Sequence, residues 1–279
     1  MIVTVLLAPW TTAPAHSADD PLDTVVVTGS REAVRQEVRA FVENVTRMDG
    51  YLVGRWRTYV CPLVAGVSDS QAIFVRERII EVYDAARKWK RKAGQACTPN
   101  MFVILAEDAD QVMADWKERD PGMFRWKARD GVSRPKGPGA VRTWHNATEN
   151  PSQGDPLITG PTAPPRAKSA GSPRIVSPVA EGITAVVVLV DARATGKVTL
   201  AQLTDYIAMV SLAQLDLTAD LGGINSILRL FAQPPPEVPP TALTDWDYAF
   251  LHALYRTSYE AVHQRRDIRA RMVRELAPR

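Results

Sequence analysis

Side chains able to carry chemistry are few in this chain of 279 residues, which holds two cysteines and four histidines. Cys61 and Cys97 have no histidine nearby at metal-ligand spacing, so they make a poor zinc site and read either as a bridge or as two buried thiols. No histidine has a partner four positions away with glutamate between them, the arrangement that a helical peptidase zinc site needs. G-x-S-x-G, the Walker phosphate loop and the dinucleotide loop G-x-G-x-x-G do not occur, so no cofactor and no metal is expected.

Carboxylates are the remaining candidates. Glu107, Asp108 and Asp110 cluster at the end of an expected strand, where they could hold a hard cation or serve as acid and base. Capping of the next helix accounts for the same spacing and is preferred. Asp205, Asp216 and Asp220 form a second set, which a hydrolase could use if they converged in one pocket with a His or Tyr.

The elements that would position these groups alternate between strand and helix. Asp23 to Gly29 is a β-branched run closed by glycine, and Ser30 caps a helix with Val34, Val38, Phe41, Val42 and Val45 on one stripe. YLVGRW and TYVCPLVAG suit an irregular strand and loop, broken by Gly54, Pro62 and Gly66. Ser68 and Gln71 have capping-box spacing ahead of a helix toward Lys92, and MFVIL from Met101 follows as a short buried strand.

Asp108 or Asp110 then starts a helix that Pro121 ends. From 131 to 178 the composition shifts to Pro, Gly, Ser and Thr, an excursion in which only Val141 to His145 looks ordered. ITAVVVLVD from Ile183 is the most apolar strand, Thr199 and Gln202 form a second capping box, and another helix begins after Thr244. The expectation is an α+β fold with α/β-like layers: a mixed sheet of about four to five strands covered by amphipathic helices. One domain spans 19–255, and a basic helix over 256–279 closes the chain.

Met1 to Trp10 is apolar and of signal-peptide length, and small residues follow it at cleavage spacing, although no basic residue precedes it. Residues 1–18 are therefore expected to be a signal peptide and the protein to be periplasmic or secreted. No other apolar run reaches the ~20 residues of a membrane span. In an oxidising compartment Cys61 and Cys97 are expected to be bridged.

The formal net charge of +3 is unevenly spread. Basic residues concentrate between Lys117 and Arg142 and again from Arg256 to Arg279. Such runs are more often solvated surface than nucleic-acid contacts, and an exported protein rarely meets nucleic acid. In the last helix Ile268, Met272 and Leu276 repeat every fourth position, flanked by Arg265, Arg266, Arg269 and Arg274. That pattern suits docking onto a protein or other envelope partner, or onto the chain's own domain.

Two resemblances accompany these readings. DTVVVTGSR is similar to the docking box of TonB-dependent receptors, but those carry a large transmembrane barrel, and the nine residues are read here as strand and turn. ITAVVVLVD, LTDYIAMVSLAQLDL, NSIL and LTDWDYAFLHALY resemble, in order, the strand, zinc helix, Met-turn and final helix of metzincin peptidases. Asp205, Tyr206 and Met209 stand where that family has His, Glu and His, and Leu228 stands where it has Met. The resemblance thus implies a degenerate, zincin-like scaffold without the zinc motif. The chain also resembles exported domains of unknown function from Gram-negative bacteria. Neither likeness brings an activity with it, and the expectation is an exported, non-catalytic binding or structural protein, with a carboxylate hydrolase on a peptidase-like scaffold as the alternative.

Overall fold

The computed structural model describes residues 31–46, 53–87, 97–119, 139–151, 179–258 and 263–278. The expected signal peptide and the strand at Asp23 to Gly29 lie outside these residues, as do the cap at Ser30, the expected continuation of a helix to Lys92 and the expected stop at Pro121. The described elements are α1 (Arg31–Val45), β1 (Arg55–Trp56), β2 (Pro62–Ala65), α2 (Asp69–Arg87), β3 (Met101–Ala106), α3 (Ala109–Arg119), β4 (Val141–Pro151), β5 (Val179–Asp191), α4 (Leu200–Leu212), α5 (Asp245–Arg256) and α6 (Gln264–Leu276). A five-stranded mixed sheet covered by helices is the α/β-like layering that the alternating elements predict.

Strand β5 is the centre of the sheet. It pairs in parallel with β3 from Val186 to Asp191 and with β1 at Gly182 and Ile183, while β4 runs antiparallel beside it. Beyond β3 lies β2, also parallel. A strand this apolar must be covered on both faces. Ile183, Val186, Val188 and Val190 enter the main core, which helices α1, α2, α4, α5 and α6 complete. On the opposite face Leu189 and Trp144 pack with Ala109 and Met113 of α3, and the Trp116 and Trp144 rings meet edge-on at 5.7 Å.

The caps fall where the sequence places them. The Gln71 amide donates to Ser68 Oγ, and the Ser68 amide donates back to Gln71 Oε1 at 3.1 Å. Thr199 and Gln202 form the same reciprocal box at the start of α4. Before α2 the chain turns at Gly66 with φ of 85°, and a Cβ there would lie 1.8 Å from the Leu105 carbonyl oxygen of β3, so glycine is required.

Two expectations are corrected. The Pro/Gly-rich excursion over 131–178 contains an 11-residue strand, β4, which extends past His145 to Pro151. Its residues look polar because an antiparallel strand at the side of a sheet needs no continuous apolar run. The terminal basic helix begins at Gln264, whereas Arg256 ends α5. Helix α6 packs against α1 and α5, with Ile268 and Met272 fully buried in the main core.

Cys61 and Cys97 are bridged, with Cα atoms 6.0 Å apart. The bridge brackets β2 and α2. Asn100 braces it, accepting from the Cys61 amide at 2.7 Å and donating to the Tyr59 carbonyl at 2.8 Å. Closing a loop of 36 positions stabilises by about 4 kcal/mol in the chain-entropy picture. Cys61→Ser and Cys97→Ser are each expected to abolish a reductant-dependent gel shift and to lower urea-unfolding stability by about 2–4 kcal/mol. Two native thiols that label readily would contradict the bridge.

Candidate ligand cleft between the last two helices

The carboxylates read from the sequence are each committed to a separate structural task. Asp205 lies within α4, nearly buried, and takes Arg78 Nε at 2.7 Å on one oxygen while the Leu243 amide donates to the other at 2.8 Å. This hydrogen bond raises the Arg78 pKa above its ordinary value, against the opposing effect of burial. Asp216 accepts from the Thr218 amide and hydroxyl, and Asp220 accepts from the Gly222 amide. Among the described residues the three share no hydrogen-bond partner, and Asp216 and Asp220 do the work of turn formation.

Asp108 and Asp110 sit at the N-terminus of α3. Asp108 accepts from the Gln111 amide at 2.9 Å, the leading cause that holds its carboxyl below the ordinary value, and it also pairs with Arg193. Asp110 pairs with Arg142 at 2.7 Å. Among the described residues no group of three or more His, Cys, Asp or Glu could hold a metal ion.

Asp205, Tyr206 and Met209, the positions compared with the zinc ligands and glutamate of the zincin motif, all lie on α4 and are buried. Tyr206 meets Phe231 edge-on at 5.0 Å, and burial pushes its phenol upward, so it stays neutral. Met209 is fully buried, and Leu228 lies in a 3-10 turn over Ile227–Phe231. These side chains pack the core around that turn.

A further carboxylate, which the sequence reading passed over, organises the same region. Asp247 is fully buried on α5 and accepts from Ser226 Oγ (2.6 Å), the Ile227 amide (2.8 Å), and the Thr244 amide and hydroxyl (both 2.9 Å). Burial raises its pKa, and the donated hydrogen bonds oppose that rise. The signal in the sequence was Thr244-x-x-Asp247, a capping box with Asp in place of Glu.

The arginines of the last helix divide into two sets. Arg265 donates to the Thr46 carbonyl at 2.7 Å and Arg269 pairs with Glu43 at 2.7 Å, so both fasten α6 to α1. Gln264 helps at the start of α6: its Oε1 accepts from the Val53 amide at 2.6 Å and its Nε2 donates to the Val53 carbonyl at 3.2 Å. Arg266 is exposed beside Asp267. Ile268 and Met272 are inaccessible to a partner, which removes them from the expected docking surface because the chain's own α1 and α5 already cover that side.

Arg274 from the expected set faces the other way, into a cleft of about 310 Å³ between α5 and α6 that is lined by His252, Ala253, Arg256, Arg271, Arg274 and Glu275. His252 and Arg256 are one helical turn apart on α5; Arg271, Arg274 and Glu275 share a face of α6. Glu275 Oε1 lies 2.6 Å from His252 Nδ1. Among the described residues no ion pair or hydrogen bond engages Arg256, Arg271 or Arg274. Arg256 and Arg274 lie in the last turns of their helices, where cations complement the dipole. Arg271 does not, and it is half-buried.

Comparison with family models, with curated proteins and with solved structures finds no match to this chain.

The polar contacts make distinct predictions. Asp205→Ala strands the Leu243 amide and removes the buried partner of Arg78, leaving it Glu81 and Tyr248, and is expected to cost about 2–4 kcal/mol in urea unfolding, near the lower range for broken buried pairs because Arg78 reaches solvent. Asp247→Ala is expected to cost a similar ~2–4 kcal/mol, whereas Asp247→Asn, which keeps an acceptor and can donate to Ser226, should stay within about 1 kcal/mol of the parent. Equal losses for Ala and Asn at 247 would show that the charge itself is required.

Proposed function

We propose that the protein is an exported binding protein that takes an anionic ligand in the cleft between α5 and α6. One observation carries this reading: three arginines line one concave site with a single carboxylate, and none has a partner among the described residues. Guanidinium is always charged and presents a planar fork of donors suited to carboxylate or phosphate. Like charges gathered in this way repel one another, and a bound anion relieves that repulsion. The disulfide suits the periplasm or the cell exterior, and among the described residues no helix is long and apolar enough to cross a membrane.

A hydrolase is the second reading, favoured by the His252–Glu275 contact. A carboxylate on Nδ1 fixes the ring and directs Nε2 as a base or nucleophile. Turnover of a p-nitrophenyl ester that is lost in His252→Gln would select this reading over simple binding.

Binding to the folded state raises stability by mass action, about 2.7 kcal/mol at a ligand concentration of 100 Kd. At low ionic strength, multivalent small anions are therefore expected to raise the thermal midpoint above that in chloride of equal ionic strength. The rise should vanish when Arg256, Arg271 and Arg274 are all replaced by Gln. A panel of anions that moves neither protein would overturn the proposal.

A further inference from the structure

We infer that the group held in the cleft is the phosphoryl group of a phosphate monoester, an inference that rests on the anion-binding reading above and names its ligand class. Counting the guanidiniums and the carboxylate alone, Arg256, Arg271 and Arg274 against Glu275 leave two positive charges in the site. A phosphate monoester carries about −1.5 to −2 at neutral pH and offers three acceptor oxygens, which matches that excess. A monocarboxylate brings one charge and two oxygens in one plane, enough for one guanidinium fork and not for three.

The directions of approach favour the same group. Arg256 comes from α5, and Arg271 and Arg274 come from α6, so the donors enter from two walls of the cleft. Tetrahedral oxygens spread their acceptor sites in three dimensions, whereas those of a carboxylate are concentrated near its own plane, so donors from two walls are met more fully by the former. Glu275, held against His252 at 2.6 Å, lowers the positive charge of the site without cancelling it, so a dianion still gains more there than a monoanion does. A volume of about 310 Å³ is at the small end of ligand sites and leaves room beside the phosphoryl group for part of the alcohol that carries it.

The experiment is calorimetric titration of the full disulfide-bonded chain, at low ionic strength, with glycerol 3-phosphate, inorganic phosphate and succinate. Glycerol 3-phosphate is expected to bind at least about tenfold more tightly than succinate, a dicarboxylate of similar charge. Tighter binding of the ester than of inorganic phosphate would identify an esterified source, and the reverse order would overturn the ester assignment. Arg271→Gln and, separately, the exposed Arg256→Gln should each weaken glycerol 3-phosphate by about tenfold, while Arg266→Gln on the same helix leaves it unchanged. The thermal midpoint of each variant reports that it is folded. Equal binding of succinate and glycerol 3-phosphate overturns the phosphoryl assignment and leaves the anion cleft standing. No binding of any of the three, or binding indifferent to both Arg271→Gln and Arg256→Gln, overturns the two together.

Discussion

Strand β5 has no face that can be left to water. Ile183, Val186, Val188 and Val190 on one side and Leu189 on the other all have to be covered, and this requirement arranges the rest of the molecule. Parallel partners β3 and β1 leave the faces of β5 open to helices, and α3 takes one of them. The other is too broad for one helix. Helix α4 is therefore buried from Leu203 to Leu212, and α1, α2, α5 and α6 close around it.

That crowding explains where polarity survives inside. A helix buried on nearly every side can carry Asp205 only because Arg78 and the Leu243 amide satisfy it. Asp247 is tolerated for the same reason, since the 3-10 turn and the start of α5 supply its four donors. These buried polar groups are thus joints, connecting α2 to α4 and the turn to α5. The arginine cleft differs in kind, because its donors meet no acceptor among the described residues.

Local signals were legible in the sequence and spatial ones were not. Ser68-x-x-Gln71 and Thr199-x-x-Gln202 announced two helix starts, because a cap is decided within four residues. The stripe Val38, Phe41, Val42 and Val45 announced a buried face for α1 in the same way. Strand β4 was read only as far as His145, since its stability comes from pairing with β5 and not from its own composition. The spacing of Ile268 and Met272 showed that α6 has an apolar side, but periodicity is silent on which surface covers it. Once α1 and α5 do so, Arg265 and Arg269 become internal fastenings. The candidate site then moves to Arg256 and Arg271, which no motif marks, beside Arg274, the member of the expected set that remains.

The bracket of β2 and α2 by Cys61 and Cys97 also has a mechanical side. A chain drawn out from its two ends transmits tension through the bridge and bypasses the 36 positions between. Full extension therefore falls short by roughly 120 Å at the ~3.3–3.6 Å each residue can span. The bypassed stretch contains Arg78 and Tyr83, the side chains by which α2 holds Asp205 and the Thr58 carbonyl. Under load, the segment that grips the rest of the core is the one that force cannot stretch until the sulfurs part.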